Sequence, residues 1–280
     1  MAPYRLGLYE KSMPNSLSIA EKLSAAQKAG FDFMEISIDE SDEKLARLMW
    51  SRQDRQNILN DMQHTGIKLE TMCLSGHRKF PIGSEDPQVR EQGMKIMRKA
   101  IQLASDLGVR VIQIAGYDEY YKPSNENTAR LFLENLRESV DYASQMAVIL
   151  AFETMETDFM NTVAKALAFV NKVGSPYLQI YPDLGNLTNA ALLGGHSVTD
   201  DLAAGRGHVA ALHLKETLPG VFREVPYGKG HVNFAEGIAT AFSLGVRVFV
   251  GEFWHVDGVD WQEQLIYSNN FLRKAFAGVV

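Results

Sequence analysis

The chain alternates between two kinds of apolar pattern. Short runs of strand length, rich in β-branched and aromatic residues, stand directly after glycine: Phe31 to Ser37 after Gly30, Ile67 to Leu74 after Gly66, Val109 to Ala115 after Gly108. In the second half Tyr177 to Tyr181 follows Gly174, His208 to Leu214 follows Gly207, and Val246 to Glu252 follows Gly245. Glycine suits the left-handed residue that closes a helix, so each of these positions marks a helix ending and a strand beginning. Arg5 to Tyr9 and Ala147 to Glu153 complete a set of eight predicted strands.

The segments between them are amphipathic with helical spacing. Asp86-Pro87 supplies a cap and a first-turn proline ahead of Ile96, Ala100, Ile101, Ala104 and Leu107. Ser51 and Asp54 have capping-box spacing ahead of Ile58, Leu59 and Met62. Leu131, Leu136, Val140 and Ala143 predict a third helix, and Val163, Leu167 and Val170 a fourth. Strands alternating with helices, with no linker-like stretch, predict a parallel sheet and one domain over residues 1–280. A doubly wound open sheet is the rival architecture, but nucleotide-binding sheets of that kind carry a glycine-rich phosphate loop that is absent here. The expected fold is therefore α/β, a (β/α)₈ TIM barrel, for which the typical length is ~250 residues.

Composition changes this picture little. With 46% hydrophobic and 22% charged residues the chain has a globular average. No apolar run approaches the roughly 18 residues of a membrane span, and the start, Met-Ala-Pro-Tyr-Arg-Leu-Gly, has no secretion-signal pattern. The single cysteine, Cys73, cannot form an internal disulfide and reads as a buried filler. These features together give an expected cytoplasmic location, with no membrane partner. A net charge of −6 argues against a general nucleic-acid binder, which needs a basic face, but leaves room for one phosphate on a small molecule.

In a barrel of this kind, side chains at the carboxyl ends of strands face the active site. The last four predicted strands end in or lead into Glu153, Asp183, His213 and Glu252. One such residue alone reads as a surface acid, a helix cap or a hydrogen-bonded core histidine. Four at the same level of consecutive strands predict one divalent metal site, because three carboxylates crowd together only with raised pKa values or a cation. Three oxygens and one nitrogen suit Mn²⁺, Mg²⁺, Co²⁺ or Zn²⁺. Such a site favours chemistry beside a carbonyl, where a carbon-bound proton is lost through an enediolate. Glu153 and Glu252, from the first and last of these strands, are candidates for a facing acid–base pair. Return of the proton to the opposite face makes an epimerase, and return to the neighbouring carbon an aldose–ketose isomerase. Spacing alone does not choose between them.

Several long stretches carry a resemblance: GFDFMEISIDE (30–40), CLSGHRKFPIGSEDP (73–87), IMRKAIQLASDLGVRVIQIAGYD (96–118), YPDLGNL (181–187), HLKET (213–217) with its following PGVFREVPYGKG, and GEFW (251–254). Over nearly the whole chain the sequence resembles the L-xylulose/L-ribulose 5-phosphate 3-epimerases, within the xylose-isomerase-like barrel superfamily. The resemblance implies that Glu153, Asp183, His213 and Glu252 hold the metal and that the two glutamates are the acid–base pair. It implies inversion at C3 of L-xylulose 5-phosphate to give L-ribulose 5-phosphate, in ascorbate-type or related pentose catabolism. A homodimer is likewise implied by resemblance only. Two positions depart from the expected pattern, Glu216 in place of Asp and Phe253 in place of Met, and both bear on the substrate more than on the reaction type.

A phosphorylated substrate needs cationic or backbone donors near the mouth. The candidates are His77 and Arg78 first, then Lys215, Arg223 and Lys229, each of which otherwise reads as a solvated loop charge. Glu156 is a candidate for a substrate hydroxyl or, alternatively, a helix-start acid, and Trp254 is a candidate pocket wall. Competing readings are an epimerase or isomerase of an unphosphorylated ketose or polyol, and a non-catalytic sugar-phosphate binder. A phosphoesterase like the superfamily's apurinic endonucleases is disfavoured, since those use many histidines.

Overall fold

The computed structural model describes residues 3–279. β1 (Arg5–Tyr9) passes through a 3₁₀ turn (Glu10–Ser12) to α1 (Ile19–Lys28) and β2 (Phe33–Ile38). α2 (Asp42–Ala46), a 3₁₀ turn (Arg47–Met49) and α3 (Arg52–Thr65) lead to β3 (Lys68–Leu74) and a third 3₁₀ turn (Gly76–Arg78). Next come α4 (Pro87–Leu107), β4 (Val111–Ala115), α5 (Glu126–Gln145) and β5 (Ile149–Glu153). The last part contains α6 (Val163–Val173), β6 (Leu178–Ile180), α7 (Leu184–Gly194), α8 (Val198–Ala204) and β7 (Leu212–Leu214). It closes with α9 (Phe234–Ser243), β8 (Val248–Gly251) and α10 (Trp261–Ala277).

All eight strands are parallel, in the order β6-β5-β4-β3-β2-β1-β8-β7. The two ends of that order meet through bridges Ile180↔Val209 and Asp183↔His213, with Ala210 N–H donating to the Ile180 carbonyl at 2.9 Å. The sheet is thus closed, a TIM barrel rather than an open doubly wound sheet, and an edge that would otherwise be exposed is paired.

Several strands begin later than their apolar runs. The backbone N–H groups of Phe31, Val109, Val148 and Val246 donate back to Ala26, Ala104, Ala143 and Ala241, five residues earlier. These bonds close the preceding helix, so the same donors are lost to the sheet ladder. Capping follows the sequence closely: Asp86 accepts from Gln88 N at 2.8 Å, and Ser51 with Asp54 forms a reciprocal capping box.

The core has two layers. A large cluster of leucine, isoleucine, methionine and valine side chains fills the space between barrel and helices. A smaller one inside the barrel contains Tyr9, Phe33, Cys73, Ala151, Tyr181, Ala211 and Val250. Gly7 belongs to the barrel wall because a Cβ there would lie 2.3 Å from the Phe33 ring. Among the described residues no helix is long and apolar enough to cross a membrane.

Candidate active site

Glu153 is the last residue of β5, His213 lies in the middle of β7, and Glu252 follows β8 directly. Asp183 stands three residues beyond β6 and also caps α7, where Asn186 N donates to its Oδ1 at 2.6 Å. Its capping role and its place at the mouth are compatible because its two oxygens do different work. Each residue offers one donor atom, and these atoms all lie within 4.8 Å of one another, with all four side chains buried.

The charges in this cluster do not balance from protein groups alone. Burial pushes the Glu153 carboxyl up to about 8, and the neighbouring Glu252 charge adds to it. Burial likewise lifts Asp183 to about 7 against the pull of Lys215. Glu252 is driven upward by burial too, but Lys215 and His213 hold it below the usual carboxylate range. Lys215 Nζ is 3.1 Å from Asp183 Oδ1 and 2.8 Å from Asn186 Oδ1. His213 Nδ1 is 2.8 Å from Glu252 Oε2. Asp183 Oδ2 is buried with no hydrogen-bond partner, 3.9 Å from His213 Nδ1. A buried carboxylate oxygen without a donor is costly unless a cation faces it. Three oxygens, one imidazole nitrogen and an unpartnered oxygen among them fit a divalent cation.

Comparison with known proteins agrees with the fold. The model of the xylose isomerase-like TIM barrel matches residues 23–275. The chain is 44% identical over 278 residues to L-ribulose-5-phosphate 3-epimerase UlaE of Escherichia coli (strain SMS-3-5 / SECEC), covering 98% of this chain and 96% of that protein. The Shigella boydii serotype 18 protein of the same name gives the same identity and coverage. The chain belongs to the xylose isomerase-like TIM barrel family. Within it, the full-length identity groups the chain with the L-ribulose-5-phosphate 3-epimerases, and the protein is an enzyme of the epimerase class. Solved structures of this fold include a D-tagatose 3-epimerase-like protein (TM-score 0.80, 17% identity, 98% of each chain). An L-ribulose 3-epimerase superposes with a TM-score of 0.77 at 17% identity, over 99% of this chain and 95% of that one.

In this family member Glu153 and Glu252 line a cavity of about 230 Å³, while Asp183 and His213 lie buried behind its wall. That is below the roughly 300–1,000 Å³ of drug-sized sites and suits a single sugar. Of the residues expected from sequence, Glu153, Glu156, Arg78, Lys215, Arg223, Glu252 and Trp254 line it. Glu156 accepts from Tyr120 Oη at 2.9 Å and from Arg223 at 3.3 Å. Trp254 stands edge-on to Tyr9, with ring centroids 6.2 Å apart. The Arg78 guanidinium lies 4.9 Å from the Tyr120 ring, its Nε is buried without a partner, and no described carboxylate pairs with it. Lys215 is committed to Asp183 and Asn186 at the cavity floor.

Two expectations are corrected. His77 is absent from the cavity wall: it is buried, and its Nε2 lies 3.1 Å from the Gly93 carbonyl on α4. Burial lowers it to about 4, so at neutral pH it is uncharged and is no phosphate cation. Lys229 is exposed and outside the lining residues, on a loop whose neighbours bind Glu216. Glu216 accepts from Gly228 N at 3.0 Å and Val232 N at 3.1 Å, which gives this departure from the expected Asp a loop-holding role.

Sequence reasoning missed Lys11, Tyr9, Ser75 and Asn186 in the lining, and Glu35 and Gln113 beneath it. Lys11 was detectable, since the strand-end rule applies to β1 as well as to β5–β8. Glu35 was detectable as the one charged residue in the middle of a largely apolar strand, which burial tolerates only with partners.

Proposed function

We propose that this epimerase is metal-dependent and inverts C3 of a ketopentose 5-phosphate, interconverting L-xylulose 5-phosphate and L-ribulose 5-phosphate. The observation that carries this reading is the convergence of Glu153, Asp183, His213 and Glu252 in one buried cluster, of which Glu153 and Glu252 line a small cavity. The name of the 44% identical relatives supports the choice of substrate.

Glu153, Asp183, His213 and Glu252 would hold one divalent ion, Mn²⁺, Zn²⁺, Mg²⁺ or Co²⁺. When bound, it supplies Lewis-acid stabilisation of negative charge developing on the substrate's carbonyl oxygen. Glu153 and Glu252 come from β5 and β8, on opposite sides of the ligand set, and face the substrate from two directions. One takes the proton from C3 and the other returns a proton to the opposite face, so the stereocentre inverts through an enediolate of the substrate. Lys215 holds Asp183 in place and, with His213, keeps Glu252 ionised. Arg78 lines the cavity without an ion pair among the described residues, and it is our choice for the phosphate, with Arg223 and Lys11 beside the same cavity. Glu156 is placed to accept from a substrate hydroxyl, and Trp254 walls the pocket from water.

The test is turnover of L-ribulose 5-phosphate by Mn²⁺-loaded protein, compared with L-ribulose. The expected result is L-xylulose 5-phosphate, with kcat/KM at least tenfold higher for the phosphorylated sugar. Equal or better turnover of the free ketose would favour the alternative of an unphosphorylated substrate.

A further inference from the structure

Glu35 is wholly buried on β2, and no lysine or arginine reaches it among the described residues. A carboxylate so placed is costly unless donors satisfy it. Thr71 Oγ1 donates to Oε2 at 2.7 Å and Tyr181 Oη donates to the same oxygen at 3.1 Å. That leaves Oε1 for His213 Nε2, at 2.7 Å across the barrel interior. The Tyr181 ring also packs edge-on against the imidazole, with centroids 4.9 Å apart and planes at 74°. On its other side His213 Nδ1 faces Glu252 Oε2 at 2.8 Å and the Gln113 side-chain amide at 3.1 Å.

We propose that Glu35 is a positioning residue for the cation site: it accepts the Nε2–H of His213 and keeps the Nδ1 lone pair turned toward Glu153, Asp183 and Glu252. A carboxylate behind a ligating histidine fixes its tautomer and ring orientation and raises its basicity. Tyr181 and Thr71 serve the same end one step further out, by fixing which Glu35 oxygen is free. The inference rests on the four-residue site proposed above.

The experiment measures Mn²⁺ affinity of the full chain by electron paramagnetic resonance of free Mn²⁺, for the wild type, Glu35→Gln and Tyr181→Phe. Visible absorption of the Co²⁺-loaded proteins reports the ligand geometry, and thermal unfolding of the metal-free proteins reports the fold. Glu35→Gln is expected to raise the Mn²⁺ dissociation constant about 10–100-fold and to alter the Co²⁺ bands, with unfolding of the metal-free chain little changed. Tyr181→Phe is expected to shift affinity the same way by less, and it carries the test if Glu35→Gln fails to fold. Wild-type affinity in the variants would overturn the role of Glu35 and leave the four-ligand site standing. No Mn²⁺ binding by the wild type would overturn both.

Discussion

Glu10 and Glu252 each stand one residue past a strand, on neighbours β1 and β8, and their surroundings are opposite. Glu10 is wholly buried among cations: Oε1 accepts from Lys22 at 2.9 Å, Lys44 at 2.6 Å and Arg47 at 2.8 Å. Its Oε2 accepts from Arg47 at 2.6 Å and from Ser37 N at 2.8 Å. Burial pushes its carboxyl up, but Arg47, Lys22 and Lys44 hold it far below the ordinary range. Around Glu252 carboxylates outnumber cations, and one oxygen of Asp183 has no donor. The pleat explains the difference. β1 pairs with β8 so that Leu8 faces Gly251, which puts Tyr9 level with Glu252 and Glu10 level with Phe253. One step along the strand turns a side chain from the barrel interior to the helical layer. An acid on the inward parity joins the site, whereas one on the outward parity ties helices to the barrel and has every acceptor filled by protein.

The largest effects should come from the inward acids. Glu153→Gln and Glu252→Gln are each expected to lower kcat by about 10²–10⁴-fold, the usual contribution of a general acid or base, with the fold retained by circular dichroism. Wild-type turnover in either variant would remove it from the acid–base pair. Glu10→Gln is expected to act on stability instead, by about 3–5 kcal/mol in denaturant unfolding, because it strands three buried cations. Mn²⁺ affinity should stay near wild type in that variant, and a loss of affinity without a loss of stability would erase the contrast between the two clusters.

His77 gives a smaller effect with a defined sign. Its folded value of about 4 lies below the ordinary 6.5, so the unfolded chain binds the proton more readily. Stability is therefore full above pH ~6.5 and lost as pH falls toward 4, by about 3 kcal/mol at most. His77→Gln should flatten that part of the stability–pH curve, which urea unfolding at several pH values measures. Arg78→Ala is expected to raise KM for the phosphorylated sugar by about 10–100-fold, the worth of one charge-assisted hydrogen bond, while leaving KM for a free ketose nearly unchanged. Equal changes for both sugars would place the phosphate elsewhere, at Arg223 or Lys11.

The fold was legible because punctuation and period agree at six of the eight strands: helix-closing glycine, then a run of strand length. The candidate cation site was legible because the strand-end rule picks out Glu153 at the end of β5, His213 in the short β7 and Glu252 directly after β8. What escaped depends on direction within a turn. His77 and Arg78 are adjacent in a 3₁₀ turn, where successive side chains diverge by about 120°, so one enters α4's surface and the other the cavity. Glu35 escaped because attention to strand ends passes over strand middles. Its register with Tyr9 on β1 and Thr71 on β3 puts it in the inward layer. Lys229 lies too far along its loop for adjacency to a strand to locate it.

The most direct test of the central claim is proton exchange at C3, the carbon that the two glutamates are proposed to flank. Mn²⁺-loaded protein is incubated with L-ribulose 5-phosphate in deuterated water and followed by proton nuclear magnetic resonance. The account predicts L-xylulose 5-phosphate with deuterium at C3. Deuterium at C1, or no exchange with Mn²⁺ bound at the four residues, would contradict it.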